Sequence, residues 1–154
     1  MAKVNPIPEG MHTVTPQLNL EGAADAIEFY KKAFGAKEVA RALDPAGKKV
    51  MHAEVRIGDS PVFVNDVFPE MGEGAKASRS NLWLYVEDVD QAFKRATDAG
   101  AHAKLPPTDM FWGDRMAQVT DKWGVYFTIA QRVKNMTPEE MKKAADEFFK
   151  SMKR

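Results

Sequence analysis

The chain has 154 residues, 44% of them hydrophobic, with 22 Lys+Arg against 22 Asp+Glu and no cysteine. Zero net charge counts against a nucleic-acid binder, which needs a basic face. The missing cysteines exclude disulfides, zinc thiolate sites and thiol nucleophiles, and fit a reducing compartment.

Residues 1–10, with two prolines and a glycine, read as a loose lead-in. No apolar run approaches the roughly 20 residues that span a bilayer. The opening stretch lacks the apolar core of a signal peptide, so a cytoplasmic chain without membrane contact is expected. Thr13 to Leu20 reads as a strand, and Gly22 to Phe34 as a helix. Ala23, Ile27, Tyr30 and Phe34 form its apolar stripe, with Asp25, Glu28, Lys31 and Lys32 opposite. Gly35 is the natural helix stop. Strands are expected near 37–43, 49–57 and 61–66, divided by Asp44-Pro45-Ala46-Gly47 and Gly58-Asp59.

Residues 67–80 read as a linker, after which the order repeats. Asn81 to Val86 is a strand and Val89 to Ala99 a helix, followed by strands near 102–105, 111–119 and 125–131. Leu18 and Leu20 answer Leu84 and Val86, and Gly35-Ala36 answers Gly100-Ala101, at an offset of 66 residues that falls to 65 after the turn. The tail, about 137–153, is a further helix. Thr137-Pro138-Glu139-Glu140 supplies its N-cap, first-turn proline and capping-box glutamate. Met141, Ala144, Ala145, Phe148, Phe149 and Met152 share one face and need a surface to cover: the chain's own sheet, or less commonly a partner subunit.

The expected fold is thus α+β, a tandem of βαβββ modules over about 11–66 and 81–131 within one domain spanning 1–154. With the helix carrying Ala26-Ile27-Glu28-Phe29-Tyr30 and Phe34-Gly35, the strand Met51 to Ile57 and Phe111-Trp112-Gly113-Asp114-Arg115, the chain resembles the vicinal oxygen chelate superfamily, the glyoxalase/bleomycin-resistance fold. The strand and the Phe111 segment resemble its phosphonate-metabolism-like, or 3-demethylubiquinone-methyltransferase-like, subgroup. The resemblance implies that each module curls into half of a cup. It also implies a homodimer, often with cups completed across two chains.

In the metal enzymes of that superfamily, ligands stand on the first and last strand of each module. Those positions fall here on Thr15, Phe63, Asn81 and Thr128, which offer no carboxylate and no imidazole. His12 and Gln17 lie near Thr15 without completing a set. No metal and no other cofactor is therefore expected.

His52 and Glu54 alternate along one strand face. They could be a base with its orienting carboxylate, or two ligands, and are set against a plain polar pair on a strand. One His and one Glu without a third donor are a weak metal signal. His12 and His102 read as ordinary surface histidines. Trp112 and Asp114 are expected on one face of a strand entering the cup, with Arg115 opposite in an internal Asp–Arg tie. Asn81, Trp83 and Tyr85 alternate, as do Tyr126 and Thr128. With Phe63 and Trp112 they would line an aromatic cup with polar edges, suited to a flat small molecule.

The reading that follows is a metal-independent small-molecule binding protein that sequesters or carries an aromatic or drug-like ligand, rather than an enzyme. The alternatives are a metal-dependent lyase, isomerase or dioxygenase with an atypical site, and a structural or regulatory module with a collapsed cup. A small molecule and a second copy of the chain are the expected partners, with no nucleic acid and no membrane.

Overall fold

The computed structural model describes residues 4–72 and 76–153. Parts of the expected lead-in (residues 1–3) and linker (73–75) lie outside the described residues, as does residue 154. The chain divides into two compact units, Met1–Ser78 and Arg79–Arg154.

Unit one contains β1 (Gln17–Leu20), α1 (Ala23–Phe34), β2 (Lys37–Leu43), β3 (Val50–Ile57), β4 (Ser60–Asp66) and a short 3₁₀ turn at Pro69–Met71. Its sheet has the order β1-β4-β3-β2, with β1 parallel to β4 and the rest antiparallel. Unit two repeats the plan with β5 (Ser80–Tyr85), α2 (Val89–Asp98), β6 (His102–Asp109), β7 (Asp114–Thr120) and β8 (Val125–Arg132), then adds α3 (Pro138–Met152). Its order is β5-β8-β7-β6. These two mixed sheets with three helices form the glyoxalase/bleomycin-resistance fold.

Alternation decides which face each helix covers. In unit one Leu18, Leu20, Ala53, Val55, Val62 and Val64 are buried together with Ala23, Ala26, Ile27 and Tyr30 of α1. In unit two Ala117, Val119, Phe127 and Ile129 are buried with Val89 and Ala96 of α2. Fully burying each large apolar side chain is worth about 1.5–3 kcal/mol, so these layers hold each sheet to its helix and leave the opposite face for other work.

The helix entries are fixed by side chains at repeat-related places. Asp66, at the end of β4, accepts from the backbone N–H of Gly22 and Ala23 at 3.0 and 2.9 Å and from that of Val50 at 2.7 Å. A carboxylate there satisfies donors left open by the first turn and complements the positive helix end. Its counterpart, Gln131, accepts from Val89 N–H at 3.1 Å.

Several boundaries differ from the sequence reading. β1 begins only at Gln17, so Thr15 precedes the strand. β6 runs on to Asp109, and β7 starts at Asp114 rather than 111. Trp112 therefore lies in the turn before β7, not in a strand. The cause is Gly113, whose φ of 96° breaks the extended chain. The tail helix forms with its capping box intact, but none of its residues is buried. Its apolar stripe is only partly covered: Phe148 packs 4.9 Å from Phe111, while Phe149 and Met152 stay exposed.

Candidate functional site

Unit two carries the richer face. Register places Asn81 beside Tyr126, Trp83 beside Thr128 and Tyr85 beside Ala130. Across the next strand pair, Thr120 stands beside Tyr126, Gln118 beside Thr128, Met116 beside Ala130 and Asp114 beside Arg132. Register partners point to the same side of a sheet. All of these side chains therefore share the face opposite the one that α2 covers.

That face is graded. On its edge strand, β5, Trp83 and Tyr85 stand with ring centroids 6.1 Å apart and are 46% and 62% exposed. Two aromatic rings left this open are an exception within a sheet whose Val119, Val125, Phe127 and Ile129 are fully buried. To one side is a polar row: Tyr126 O–H donates to Gln118 Oε1 at 3.3 Å, and Gln118 Nε2 donates to Thr128 Oγ1 at 3.5 Å.

At the end of the face sits Asp114, fully buried. Tyr85 O–H and Trp112 Nε1–H both donate to its Oδ2, at 3.2 and 3.1 Å. Arg132 Nε donates to Oδ1. A carboxylate taken out of water needs such partners. The Asp114 hydrogen bond, followed by the Tyr85 hydroxyl, holds Arg132 above the ordinary arginine value. Trp112 thus joins the face through Asp114, although it lies outside the strand.

Arg115 points to the other side, as its place in the alternation requires. It donates to Asp90 at 2.9 Å through Nη2 and at 3.0 Å through Nε, and to Asp109 at 3.1 Å. It ties β6 and β7 to the start of α2 and has no part in the face described above. The Arg115 hydrogen bonds hold the Asp90 carboxyl below its ordinary value.

The corresponding face of unit one is built differently. Phe63 stands in register with Gln17 on one side and Glu54 on the other. His52 meets the Phe63 ring edge-on with centroids 4.6 Å apart, and Glu54 pairs with Arg56 at 3.1 Å. His52 and Glu54 share the face, yet the carboxylate is committed to a guanidinium rather than to the imidazole. Arg56 also donates to the Gly10 carbonyl at 3.1 Å. Beyond them is an amide relay: Gln17 Nε2 donates to Asn65 Oδ1, and Asn65 Nδ2 donates to Asn19 Oδ1, both at 2.9 Å. Phe63 belongs to unit one, whereas Asn81, Trp83, Tyr85, Trp112, Tyr126 and Thr128 belong to unit two.

Sequence reasoning missed four participants: Asn19, Asn65, Gln118 and Arg132. Gln17 and Asn19 did carry a signal, since polar residues at period two on a strand whose other face is apolar mark a second, functional or solvated face. Among the described residues no group of three or more His, Asp or Glu side chains is arranged to hold a metal ion. His12 and His102 are both exposed. No described helix is long and apolar enough to cross a membrane.

With this geometry in view, the comparisons are consistent. The model of the Glyoxalase/Bleomycin resistance protein/Dioxygenase superfamily matches residues 11–129. The chain belongs to that superfamily. It is 37% identical over 138 residues to an uncharacterised protein of Mycobacterium tuberculosis, covering 85% of this chain and 81% of that one. Among solved structures, TioX from Micromonospora sp. ML1 is similar at 26% identity and a TM-score of 0.63, over 82% of this chain and all of that one. TnmS3 from Streptomyces sp. CB03234, titled an antibiotic binding protein, shares the fold at 23% identity and a TM-score of 0.58, over 79% and 96% of the two chains.

Proposed function

We propose that this protein is a metal-independent binding protein for a small planar aromatic molecule, held on the helix-free face of unit two and sequestered or carried rather than transformed. The observation that carries the reading is the pair Trp83 and Tyr85, adjacent and about half exposed on the edge strand of a sheet whose opposite face α2 covers along β6, β7 and β8. Flat apolar rings beside a row of amide and hydroxyl groups match what small-ligand sites offer: stacking area plus a few orienting polar atoms. That a protein of the same fold binds an antibiotic supports small-molecule binding in general. The superfamily's ligand positions support the absence of metal chemistry, because Phe63 and Thr128 cannot donate a charged oxygen or an imidazole nitrogen.

The test is a fluorescence titration of planar aromatics against the wild type and Trp83→Ala. Loss of the stacking ring should weaken binding by about 0.5–1.5 kcal/mol beyond the lost area. Equal affinity in a folded variant would overturn the assignment. In parallel, EDTA should leave both affinity and melting temperature unchanged. A ligand that binds only in the presence of a divalent metal would favour a metal-dependent lyase or dioxygenase instead.

A further inference from the structure

The face that carries Trp83 and Tyr85 ends in a basic group that the binding reading above does not use. We infer that Arg132 receives an oxyanion of the ligand, so that the ligand class is a planar aromatic acid. This inference rests on the binding reading and adds the ligand's charge to it.

Tyr85 is the register partner of Ala130, and Arg132 lies two residues further along β8 on the same face. Two residues of strand are roughly 7 Å, which places the guanidinium beside the aromatic pair, within reach of an acidic substituent on a ring held there. Ala130 between them carries only a methyl group, so no large side chain on β8 stands between the aromatic pair and the arginine.

Both oxygens of Asp114 already accept: Oδ2 from Tyr85 and Trp112, and Oδ1 from Arg132. A guanidinium has five N–H donors in a planar fork. One goes to Asp114 and the Tyr85 hydroxyl lies against the same group, yet the Arg132 side chain is still 50% exposed, which leaves further N–H donors facing solvent. What this end of the face has left to give is donors, and the ligand group that suits them is an acceptor. A carboxylate takes two parallel bonds from such a fork, which a neutral amide cannot match.

An exposed arginine on its own gives up much rotamer freedom when it binds. Here the buried Asp114 fixes Nε in advance, and Trp112 and Tyr85 fix Asp114. The cost of orienting the guanidinium is met during folding, before any ligand arrives.

Two probes of nearly the same shape, one with an anionic acceptor pair and one a neutral amide, test this: 2-naphthoate and 2-naphthamide, titrated by tryptophan quenching. The wild type should prefer the carboxylate by about tenfold, as a charge-assisted pair exceeds a neutral one. In Arg132→Gln the preference should fall below about threefold, and Arg132→Lys should restore part of it. Because Arg132→Gln leaves a lone carboxylate at Asp114, the double variant Arg132→Gln/Asp114→Asn is measured as well and should also lose the preference. Trp83→Ala should weaken both probes alike and keep their ratio. Equal affinity of the two probes for the wild type, or a preference that survives in the double variant, overturns the role of Arg132 and leaves the aromatic-binding reading standing. Failure of both probes to bind any variant overturns that reading and takes this inference with it.

Discussion

Arg132 Nε donates to Asp114 Oδ1 across β7 and β8, where the two residues are register partners at the end of the sheet. The carboxylate is buried while the arginine side chain reaches solvent, so the pair turns a core position into a surface one. Tyr85 and Trp112 close the other oxygen. Replacing Asp114 by Ala removes the acceptor of all three donors. The Tyr85 and Arg132 donors can turn to water, so the cost is that of the hydrogen bonds lost, about 0.5–1.5 kcal/mol for a typical bond, and urea unfolding of Asp114→Ala should show a loss of at least that order. An unchanged midpoint would mean that the cluster contributes nothing to the fold.

Gly113 is the hinge of the same corner. Its φ is 96°, and a Cβ added there would lie 2.3 Å from the Lys134 carbonyl oxygen, a backbone atom with no rotamer to retreat into. Its own carbonyl accepts from Val133 and Lys134 N–H, both at 3.0 Å. Gly113→Ala should therefore destabilise by at least the backbone-strain cost of about 1–3 kcal/mol. Because Trp112 must shift with it, the environment of that indole should change in the near-ultraviolet circular dichroism. A variant with wild-type melting and spectrum would contradict this account of the turn.

The tail helix is attached by a contact that can be isolated. Phe111 meets Phe148 at 4.9 Å and Phe149 at 6.5 Å. A double-mutant cycle on Phe111→Ala and Phe148→Ala should return a coupling of about 0.5–1.5 kcal/mol. Independent, additive effects would show that the helix does not depend on this ring contact. Truncation after Asn135 should then lower the melting temperature only modestly, since none of the helix residues is buried.

Acid should weaken the fold through carboxylates held below their ordinary values. Asp90 is lowered by its Arg115 hydrogen bonds, Asp44 by backbone N–H groups of Lys49 and Lys48, and Glu28 by Lys31. A depressed carboxyl contributes stability that is fully present above its unfolded value, about pH 4, and is lost as pH falls through the lower folded value. Stability attributable to these groups should be constant above about pH 5 and decline below pH 4. Asp90→Asn should flatten part of the decline; an acid limb that coincides with that of the wild type would remove Asp90 from the account.

Much of the molecule was legible because β-structure has a strict period of two. Asn81, Trp83 and Tyr85 could be placed on one face from alternation alone, and the 66- and 65-residue offsets reappear in the register, where Gln17 opposes Phe63 as Trp83 opposes Thr128. Cross-strand neighbours were harder. Glu54 stands beside Phe63 because the hairpin closes at Gly58-Asp59, with Ile57 paired to Ser60. That two-residue turn was visible in the sequence, and counting outward from it would have found the pair. Arg132 was missed because β8 runs one residue past the expected end, and strand ends depend on what pairs with them. Trp112 was put into a strand because the conformation of Gly113 is set by contact with residues some twenty positions later, which no local pattern reports. The tail illustrates a different limit: its capping box and apolar spacing specify a helix, but amphipathicity does not say how completely the apolar face is covered.

The central claim is that the exposed Trp83–Tyr85 face of unit two binds a planar ligand. The three tryptophans, Trp83, Trp112 and Trp123, give three indole N–H signals in a ¹⁵N-labelled sample. Titration with 2-naphthoate should move the Trp83 signal most, Trp112 less through Asp114, and Trp123 little, since it lies in the turn at the far end of the sheet. A shift confined to Trp123, or saturable binding that leaves Trp83 unmoved, would contradict the claim.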